Sequence, residues 1–360
     1  AAAKAIDANG GVDGRKINIV GCNFQNNPNQ AAACGRQAGT DKAAAVIGEC
    51  FYSSNLDPVL QQEGIPYFVF AQLPQDYAES NTFPLGPGAE GVLISDVALL
   101  VKENHPHVGV AYADISSLTS QVQLFLKYAA SGLKSPSGVK STSAGEVPIP
   151  LTATDLTPTI EAMHSKGANG VILIQLGSGL AAGANAVKQL GLDMDLAETA
   201  DGYNNSQFKQ LPNGFLLTDL TPPPQTATNL PGIKEFRADM KKANNAGVAN
   251  AGPAYYDGES LLGWLSVYAI DQTIPHVKGA VSPASLMTAL KGIKTMDVQG
   301  LLTLHPSLQG HGPAGLKNLI DGDIYYEKVE NGVPVLVQST PVDFTKVLNQ
   351  AATGNFPPGG

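Results

Sequence analysis

The chain has 360 residues, of which 43% are hydrophobic and 15% charged, and its formal net charge is −9. This length accommodates two domains with separate cores, and the composition excludes an intrinsically disordered chain. The negative charge argues against a nucleic-acid partner, because the densest basic cluster is the pair Lys241 and Lys242.

Short apolar segments typical of buried strands alternate with helical segments along most of the chain. We predict strands at 16–21, 43–47, 65–71, 108–112, 170–176, 196–200 and 214–218. We predict helices at 4–8, after Pro28, and at 88–104, 118–130, 159–166, 181–190, 233–243, 255–272 and 283–290. The longest apolar runs fall short of the roughly 20 residues that a membrane-spanning helix needs.

This alternation predicts an α/β fold with doubly wound parallel sheets, since parallel strands need a crossover connection and that connection is usually a helix. The pattern restarts after residue 112, which indicates two α/β halves in one chain. The segment 323–338 is different, because its residues alternate around Asn331-Gly332, a strong signal for a two-residue hairpin.

The three cysteines, Cys22, Cys34 and Cys50, all lie in the first fifty residues. An odd count allows one disulfide and one free thiol, or three reduced thiols. Their crowding into one segment favours a disulfide, which would imply an oxidising compartment. Spacing alone does not select the pair.

A candidate anion site follows the apolar segment that ends at Gly48. Ser53, Ser54 and Asn55 stand where a helix would start, and free N–H groups and the helix dipole both favour negative charge there. The alternative is that one serine is only a helix N-cap. We favour a site for a small carboxylate.

A glycine-rich stretch at 177–182 fits the pattern G-x-G-x-x-A after a predicted strand, with Glu198 or Asp201 about 20 residues on, as in dinucleotide-binding folds. A turn at the edge of a binding cleft explains it as well, and no catalytic constellation accompanies it. The six histidines are scattered, without metal-ligand spacing. We therefore expect neither a cofactor nor a metal, and no enzymatic activity.

Several segments together resemble one family. The opening AAKAIDANGGVDGRKINIV, then NNPNQAAACGRQ, VIGECFYSSN, GIPYFVFA and the late GPAYYDGESLLGWL are similar, in this order, to segments of the type I periplasmic binding proteins. That group includes the leucine/isoleucine/valine-binding proteins of ABC transporters. The resemblance implies two doubly wound lobes with a ligand cleft between them.

By this resemblance, one lobe comprises residues 1–113 and 253–322, and the other comprises 114–252 and 323–360. The family's first strand would precede the opening segment, so we expect the sequence to be incomplete at its start. The resemblance also implies a disulfide between Cys22 and Cys34, which leaves Cys50 as the free thiol.

The resemblance places ligand contacts on matching positions. Ser53 and Ser54 would hold the ligand carboxylate, and Asp201 would face an ammonium group, although Asp201-Gly202 is also ordinary turn chemistry. The remaining candidate ligand contacts are Tyr52, Ala71, Gln72, Leu73, Leu176, Gly177, Tyr203 and Tyr255. The tyrosines could instead pack with one edge in water.

The expected function is that of an extracytoplasmic solute-binding protein of an ABC importer, in the periplasm or anchored at the cell surface. It would bind a branched-chain or other small amino acid by hinge closure of two lobes, and then dock on a membrane permease. Two alternatives remain: the same fold with an aromatic or aliphatic carboxylate that lacks an amine, or a ligand-sensing regulatory domain.

Overall fold

The computed structural model describes residues 1–25, 27–48, 55–70, 74–175, 178–200, 203–312 and 315–347, with the side chains at 116, 117 and 119–121 left out. The helices are α1 (Ala2–Ala8), α2 (Pro28–Thr40), α3 (Asp57–Glu63), α4 (Gly88–Lys102), α5 (Ser116–Ala129), α6 (Thr157–Ser165), α7 (Gly179–Leu190), α8 (Asn205–Phe208), α9 (Pro231–Asn245), α10 (Gly258–Thr273) and α11 (Pro283–Gly292). The strands are β1 (Val46–Gly48), β2 (Tyr67–Val69), β3 (Thr82–Pro84), β4 (His107–Ala113), β5 (Thr142–Ile149), β6 (Gly170–Ile174), β7 (Asp195–Thr199), β8 (Leu216–Asp219), β9 (Met296–Val298), β10 (Leu302–Leu304), β11 (Asp323–Glu330), β12 (Val333–Leu336) and β13 (Val342–Asp343).

The chain divides into two compact units, each built from two stretches. Unit 1 comprises Ala1–Ala89 and Ala227–Asp323, and unit 2 comprises Glu90–Thr226 and the stretch that begins at Ile324. Parallel strands connected through helices run through both units, so the predicted α/β fold with parallel sheets is confirmed.

Unit 1 has a parallel sheet in the order β1-β2-β3 and an antiparallel pair, β9 and β10. Helix α10 is its central element, because Leu261, Leu262, Trp264 and Leu265 on it are all buried. The indole N–H of Trp264 donates to Asp239 on α9 at 3.1 Å. This contact fastens α9 to α10 within the unit.

Unit 2 has an eight-stranded sheet in the order β12-β11-β8-β7-β6-β4-β5, with β13 also paired to β11. Strands β4 to β8 are mutually parallel, and β11 runs antiparallel to β8. Leu217 belongs to the apolar core that also contains Ile160 of α6 and Leu180 of α7, whereas the next residue, Thr218, contacts Val92 of α4. Successive side chains of a strand point to opposite faces, so helices cover both faces of this sheet.

The bounds of the units differ from the sequence-based bounds at 113 and 252. Residues 90–113 lie in unit 2, because β4 pairs with both β5 and β6 and α4 contacts Thr218. Residues 227–252 lie in unit 1, because α9 packs against α10 through Asp239 and Trp264. Neither of these contacts can be recognised from the sequence pattern.

One predicted strand is wrong. Residues 16–21 form no strand, and Ile19 and Val20 are 57% and 55% exposed. A strand requires a hydrogen-bonded neighbour, and none pairs with this segment among the residues that the structure describes.

The hairpin prediction is confirmed. Glu330 of β11 pairs with Val333 of β12, and the two residues between them, Asn331 and Gly332, both have positive φ, at 52° and 75°. Positive φ at both central residues is what a tight turn between right-twisted strands requires, and Asn and Gly adopt it most readily.

Candidate functional site

The candidate contacts of unit 1 come directly after two neighbouring parallel strands. Residues 52–54 follow β1 in the chain and residues 71–73 follow β2, and Ile47 of β1 pairs with Phe68 of β2 in parallel register. The side chains at issue, Tyr52, Ser53, Ser54, Ala71, Gln72 and Leu73, lie outside the described residues. Because β1 and β2 are parallel, both stretches start from the carboxyl-terminal edge of the same sheet, the edge at which open α/β sheets bind ligands.

The helix that follows the first stretch begins later than the sequence suggested. Helix α3 starts at Asp57 with Leu56 at its N-cap position and has no side-chain cap. Residue 55, predicted as part of the helix start, thus precedes the cap. The difference of two residues is within the usual uncertainty of a helix end.

Two buried carboxyl groups lie next in sequence to these stretches. Asp57 is 1% exposed and Asp76, in the short helical turn Pro74–Tyr77, is 5% exposed. Burial, followed by the neighbouring charge and hydrogen bond of Asp76, raises the pKa of Asp57 to about 9. Asp57 is therefore neutral at pH 7 and shares its proton with Asp76, which links α3 to that turn. This pair could not be recognised from the sequence, because the two residues are 19 positions apart in the chain.

Unit 2 has a topological switch point between β4 and β6. From β4 the chain passes to the edge strand β5, and it then returns to the other side of β4 to form β6, followed outward by β7 and β8. In open α/β sheets the ligand crevice lies outside the carboxyl ends of the strands at such a point. Candidates Leu176 and Gly177 follow β6, and Asp201 follows β7; all three lie outside the described residues.

Tyr203 is described, and it joins the segments that follow β6 and β7. It is 7% exposed, its hydroxyl donates to the backbone carbonyl of Gln175, and its ring lies 6.4 Å from that of Phe208. It also borders a small open pocket within unit 2, lined by Ser178, Leu180, Ala181, Tyr203, Gln207, Gln210 and Leu211. Tyr203 is therefore well packed beside the carboxyl end of β6, one of the two strands at the switch point.

Gln175 is a residue that the sequence interpretation did not name. It directly follows β6, and its amide Nε2 is buried without a hydrogen-bond partner among the described residues. Glutamine after a buried strand carries no distinctive signal, so only the folded arrangement identifies it.

Tyr255 lies in unit 1, in the short helical turn Pro253–Tyr255, and is 41% exposed. Its neighbour Tyr256 is buried against Phe236, and the guanidinium of Arg237 lies 5.2 Å from the Tyr256 ring centre. Of these two tyrosines, Tyr256 has a packing role and Tyr255 presents its ring to the surroundings.

Gly179 of the G-x-G-x-x-A stretch and Gly183, directly after the stretch, permit close packing of α7 on the strand before it. A Cβ at Gly179 would lie 2.6 Å from the Cβ of Gln175, and one at Gly183 would lie 2.4 Å from Cδ2 of Leu173. Both distances are shorter than real Cβ contacts, so each glycine has a steric reason. Gly179 is thus accounted for by helix–strand packing, whereas Gly177 lies outside the described residues.

Glu198 of β7 is 4% exposed, and burial together with the charge of Asp96 raises its pKa well above the ordinary value. Burial likewise raises the pKa of Asp96, whose Oδ1 accepts a hydrogen bond from Thr218 at 2.9 Å. The raised pKa values favour the neutral form of both carboxyl groups, because burial penalises their charged form.

The structure joins Cys22 and Cys34 by a disulfide with a Cα–Cα distance of 5.7 Å. This is the pair implied by the family resemblance. It ties the exposed segment after residue 16 to α2. Cys50 lies outside the described residues.

Within the described ranges, no group of three or more His, Cys, Asp or Glu side chains could hold a metal ion. His105 is engaged structurally, with Nδ1 2.9 Å from the carbonyl of Asn169 and Nε2 3.2 Å from Asp195. Among the helices described, none is long and apolar enough to cross a membrane.

One family model matches most of the chain. The family model described as "Periplasmic binding protein" matches residues 1–313. A search of curated proteins found no match.

Solved structures share the fold at low sequence identity. A branched chain amino acid ABC transporter protein from Thermus thermophilus with bound valine has a TM-score of 0.74 at 14% identity, covering 96% of this chain and 91% of that one. A solute binding protein of an ABC transporter from Rhodopseudomonas palustris BisB5, in complex with 3,4-dihydroxy benzoic acid, has a TM-score of 0.69 at 16% identity, covering 94% and 90%. A fatty acid ABC transporter substrate-binding protein from Thermomonospora curvata has a TM-score of 0.69 at 17% identity, covering 95% and 85%.

Proposed function

Since this chain belongs to the periplasmic binding protein family, we propose that it is the solute-binding component of an ABC importer and that it takes up a branched-chain or other small amino acid. Ligand binding would proceed by hinge closure, and the loaded protein would deliver its ligand to a membrane permease. Its role is binding and not catalysis.

The observation that carries this proposal is the position of the candidate contacts, which come directly after strands of the two sheets. Residues 52–54 and 71–73 follow β1 and β2, and residues 176–177 and 201 follow β6 and β7. All four strands have parallel neighbours, and in unit 2 the stretch after β6 starts at the switch point. Carboxyl ends of parallel strands are where α/β folds bind small molecules.

We assign the ligand carboxylate to Ser53 and Ser54, whose hydroxyls can donate to it, and the ammonium group to Asp201. The backbone at Ala71, Gln72 and Leu73, the side chains of Tyr52, Tyr203 and Tyr255, and the turn at Leu176 and Gly177 would complete the contacts. Hydrogen bonds to charged groups are about twice as strong as neutral ones, so these two pairs would contribute most to affinity.

A ligand without an amine is the second candidate. One of the solved relatives carries 3,4-dihydroxy benzoic acid and another is described as a fatty acid protein, whereas a third carries valine. The family thus accommodates acids with and without an ammonium group. Such a ligand would keep the serine contacts and would not need Asp201.

The disulfide supports an extracytoplasmic location, because disulfides persist in oxidising compartments and are rare in the cytosol. A periplasmic protein or one anchored at the cell surface would meet the permease there. No contact with nucleic acid is expected from the net charge of −9.

The experiment is titration calorimetry of the purified protein with L-valine, L-leucine, 4-hydroxybenzoate and octanoate. We expect one class to bind, and a double variant Ser53→Ala/Ser54→Ala to bind it at least about tenfold more weakly. The variant Ser165→Ala, on the exposed end of α6, serves as control. A double variant with wild-type affinity contradicts the carboxylate assignment.

Asp201→Asn separates the two ligand classes. Loss of amino-acid affinity would support the ammonium contact. The matched control is Asp193→Asn, the same substitution at an exposed aspartate earlier in the chain. Unchanged amino-acid affinity in Asp201→Asn contradicts the ammonium contact.

A further inference from the structure

Gln175 stands where unit 2 is best placed to contact a ligand. It follows β6 directly, and β6 and β4 are the strands between which the order of the sheet reverses. Residues at the carboxyl end of a strand at such a point border the ligand crevice in open α/β folds. Position alone thus makes Gln175 a candidate contact.

The amide nitrogen of Gln175 has an unused hydrogen-bonding capacity. Nε2 is buried, and no acceptor for its two N–H groups exists among the described residues. Most buried polar side-chain atoms in folded proteins have a partner, so a lone donor needs a specific explanation. A ligand that brings its own acceptor supplies one.

The surroundings hold this side chain in place. Its backbone carbonyl accepts the hydroxyl hydrogen bond of Tyr203, and its Cβ and Cγ pack where Gly179 leaves room for them. A Cβ at position 179 would come within 3.0 Å of both Cγ and Oε1 of Gln175. The amide is therefore positioned before any ligand arrives, and such preorganisation reduces the entropic cost of binding.

We propose that Gln175 donates a hydrogen bond from Nε2 to an acceptor oxygen of the bound small acid. The inference rests on the proposed function and adds a residue and a chemical requirement to it. A neutral amide N–H donates to carboxylate, carbonyl and hydroxyl oxygens and disfavours an ammonium group or a methyl group as its neighbour. The position next to Gln175 in the complex is thus occupied by an oxygen.

The test compares wild type with Gln175→Leu, which has a similar volume and no donor. Calorimetric titrations use two matched probe pairs, L-valine with L-threonine and benzoate with 4-hydroxybenzoate. The control is Gln189→Leu, the same substitution on the exposed side of α7. For the probe that wild type binds, we expect Gln175→Leu to lose about tenfold in affinity and the control to lose nothing.

The probe pairs identify the oxygen. A loss restricted to L-threonine or 4-hydroxybenzoate assigns the contact to the hydroxyl, and a loss shared by both members of a pair assigns it to the carboxylate. Gln175→Glu, which replaces the donor by an anion, is expected to weaken the same probe by more than Gln175→Leu does.

Thermal unfolding of the ligand-free variants distinguishes a ligand contact from a structural role. Gln175→Leu removes an unpaired buried donor, so its melting temperature should equal or exceed that of wild type. A lower melting temperature together with unchanged affinity would mean that the amide is structural, and it would overturn the inference. If wild type and Gln175→Leu bind a probe equally well, this inference alone is overturned. If wild type binds none of the four probes, the proposed function is contradicted as well.

Discussion

The hydroxyl of Tyr203 donates a hydrogen bond to the backbone carbonyl of Gln175. This bond connects the segment after β7 to the segment after β6, and both segments continue into candidate ligand contacts. A single side chain thereby couples two positions that are 28 residues apart in the chain.

We expect Tyr203→Phe to lower the free energy of unfolding by about 1 kcal/mol, because it removes one hydrogen bond and leaves the partly buried carbonyl of Gln175 without that donor. Urea unfolding followed by far-UV circular dichroism, which reports both units, measures the change. Tyr255→Phe is the control, since Tyr255 is 41% exposed and its hydroxyl has no such partner among the described atoms. Equal stabilities of the two variants would contradict a role for the Tyr203 hydroxyl.

The buried pair Asp57 and Asp76 predicts a pH dependence of stability. The folded pKa of Asp57 is raised to about 9 from an ordinary value of 3.8, so between these values the folded protein holds a proton that the unfolded chain releases. The stabilising contribution of the neutral carboxyl is complete below pH 3.8, and it declines as the pH rises towards about 9. The slope from this site is at most about 1.4 kcal/mol per pH unit.

Asp57→Asn should flatten this slope, because the amide keeps the shape of the neutral acid and cannot ionise. Urea unfolding at pH 5, 7 and 8.5 tests it, with Glu63→Gln at the exposed end of the same helix as the control. At pH 8.5 we expect the variant to be the more stable protein. A variant with the slope of wild type would mean that Asp57 is ionised in the folded state.

The disulfide predicts a sensitivity to reduction. It spans 12 residues, and closing a loop of this size stabilises a folded chain by about 3 kcal/mol, mainly by restricting the unfolded state. Urea unfolding with and without dithiothreitol should show a loss of this order. The double variant Cys22→Ala/Cys34→Ala should match the reduced protein and should show no further response to dithiothreitol.

Gly179→Ala should lower stability, although alanine is the better helix former. The new Cβ would lie 2.6 Å from the Cβ of Gln175, which is too close to the backbone for a rotamer change to relieve. The matched control is Gly263→Ala on α10, where nothing lies within 4 Å of the added carbon and a gain of about 1 kcal/mol is expected. Thermal unfolding compares the two, and a gain in both variants would contradict the close packing of α7 on β6.

The elements that could be predicted from sequence are those with local signals. The apolar runs of β4 and β6 identify buried parallel strands, and Asn331-Gly332 fixes the β11–β12 hairpin. By contrast, residues 16–21 alternate as a strand does, yet whether they pair depends on a neighbouring strand. Apolar alternation can be recognised within one segment, whereas a sheet requires hydrogen bonds between two segments.

For the candidate site, the sequence predicts a position relative to the strands but not the tertiary contacts around it. Order of strands and helices places the candidate contacts after parallel strands, and this order can be read from the chain. The amide of Gln175, which has no partner among the described residues, and the shared proton of Asp57 and Asp76 arise from tertiary packing. The assignment of α9 to unit 1 likewise depends on the contact of Asp239 with Trp264, which no local pattern encodes.

Strand β11 sits between β8 and β12 in the sheet, but the ribosome makes it only after the whole intervening stretch of unit 1. Until then the nascent chain carries β8 as a bare sheet edge, a template on which other chains can aggregate. Unit 2 therefore matures only near the end of translation. A gene fragment that stops before residue 323 should yield insoluble protein even though β4 to β8 are all encoded in it.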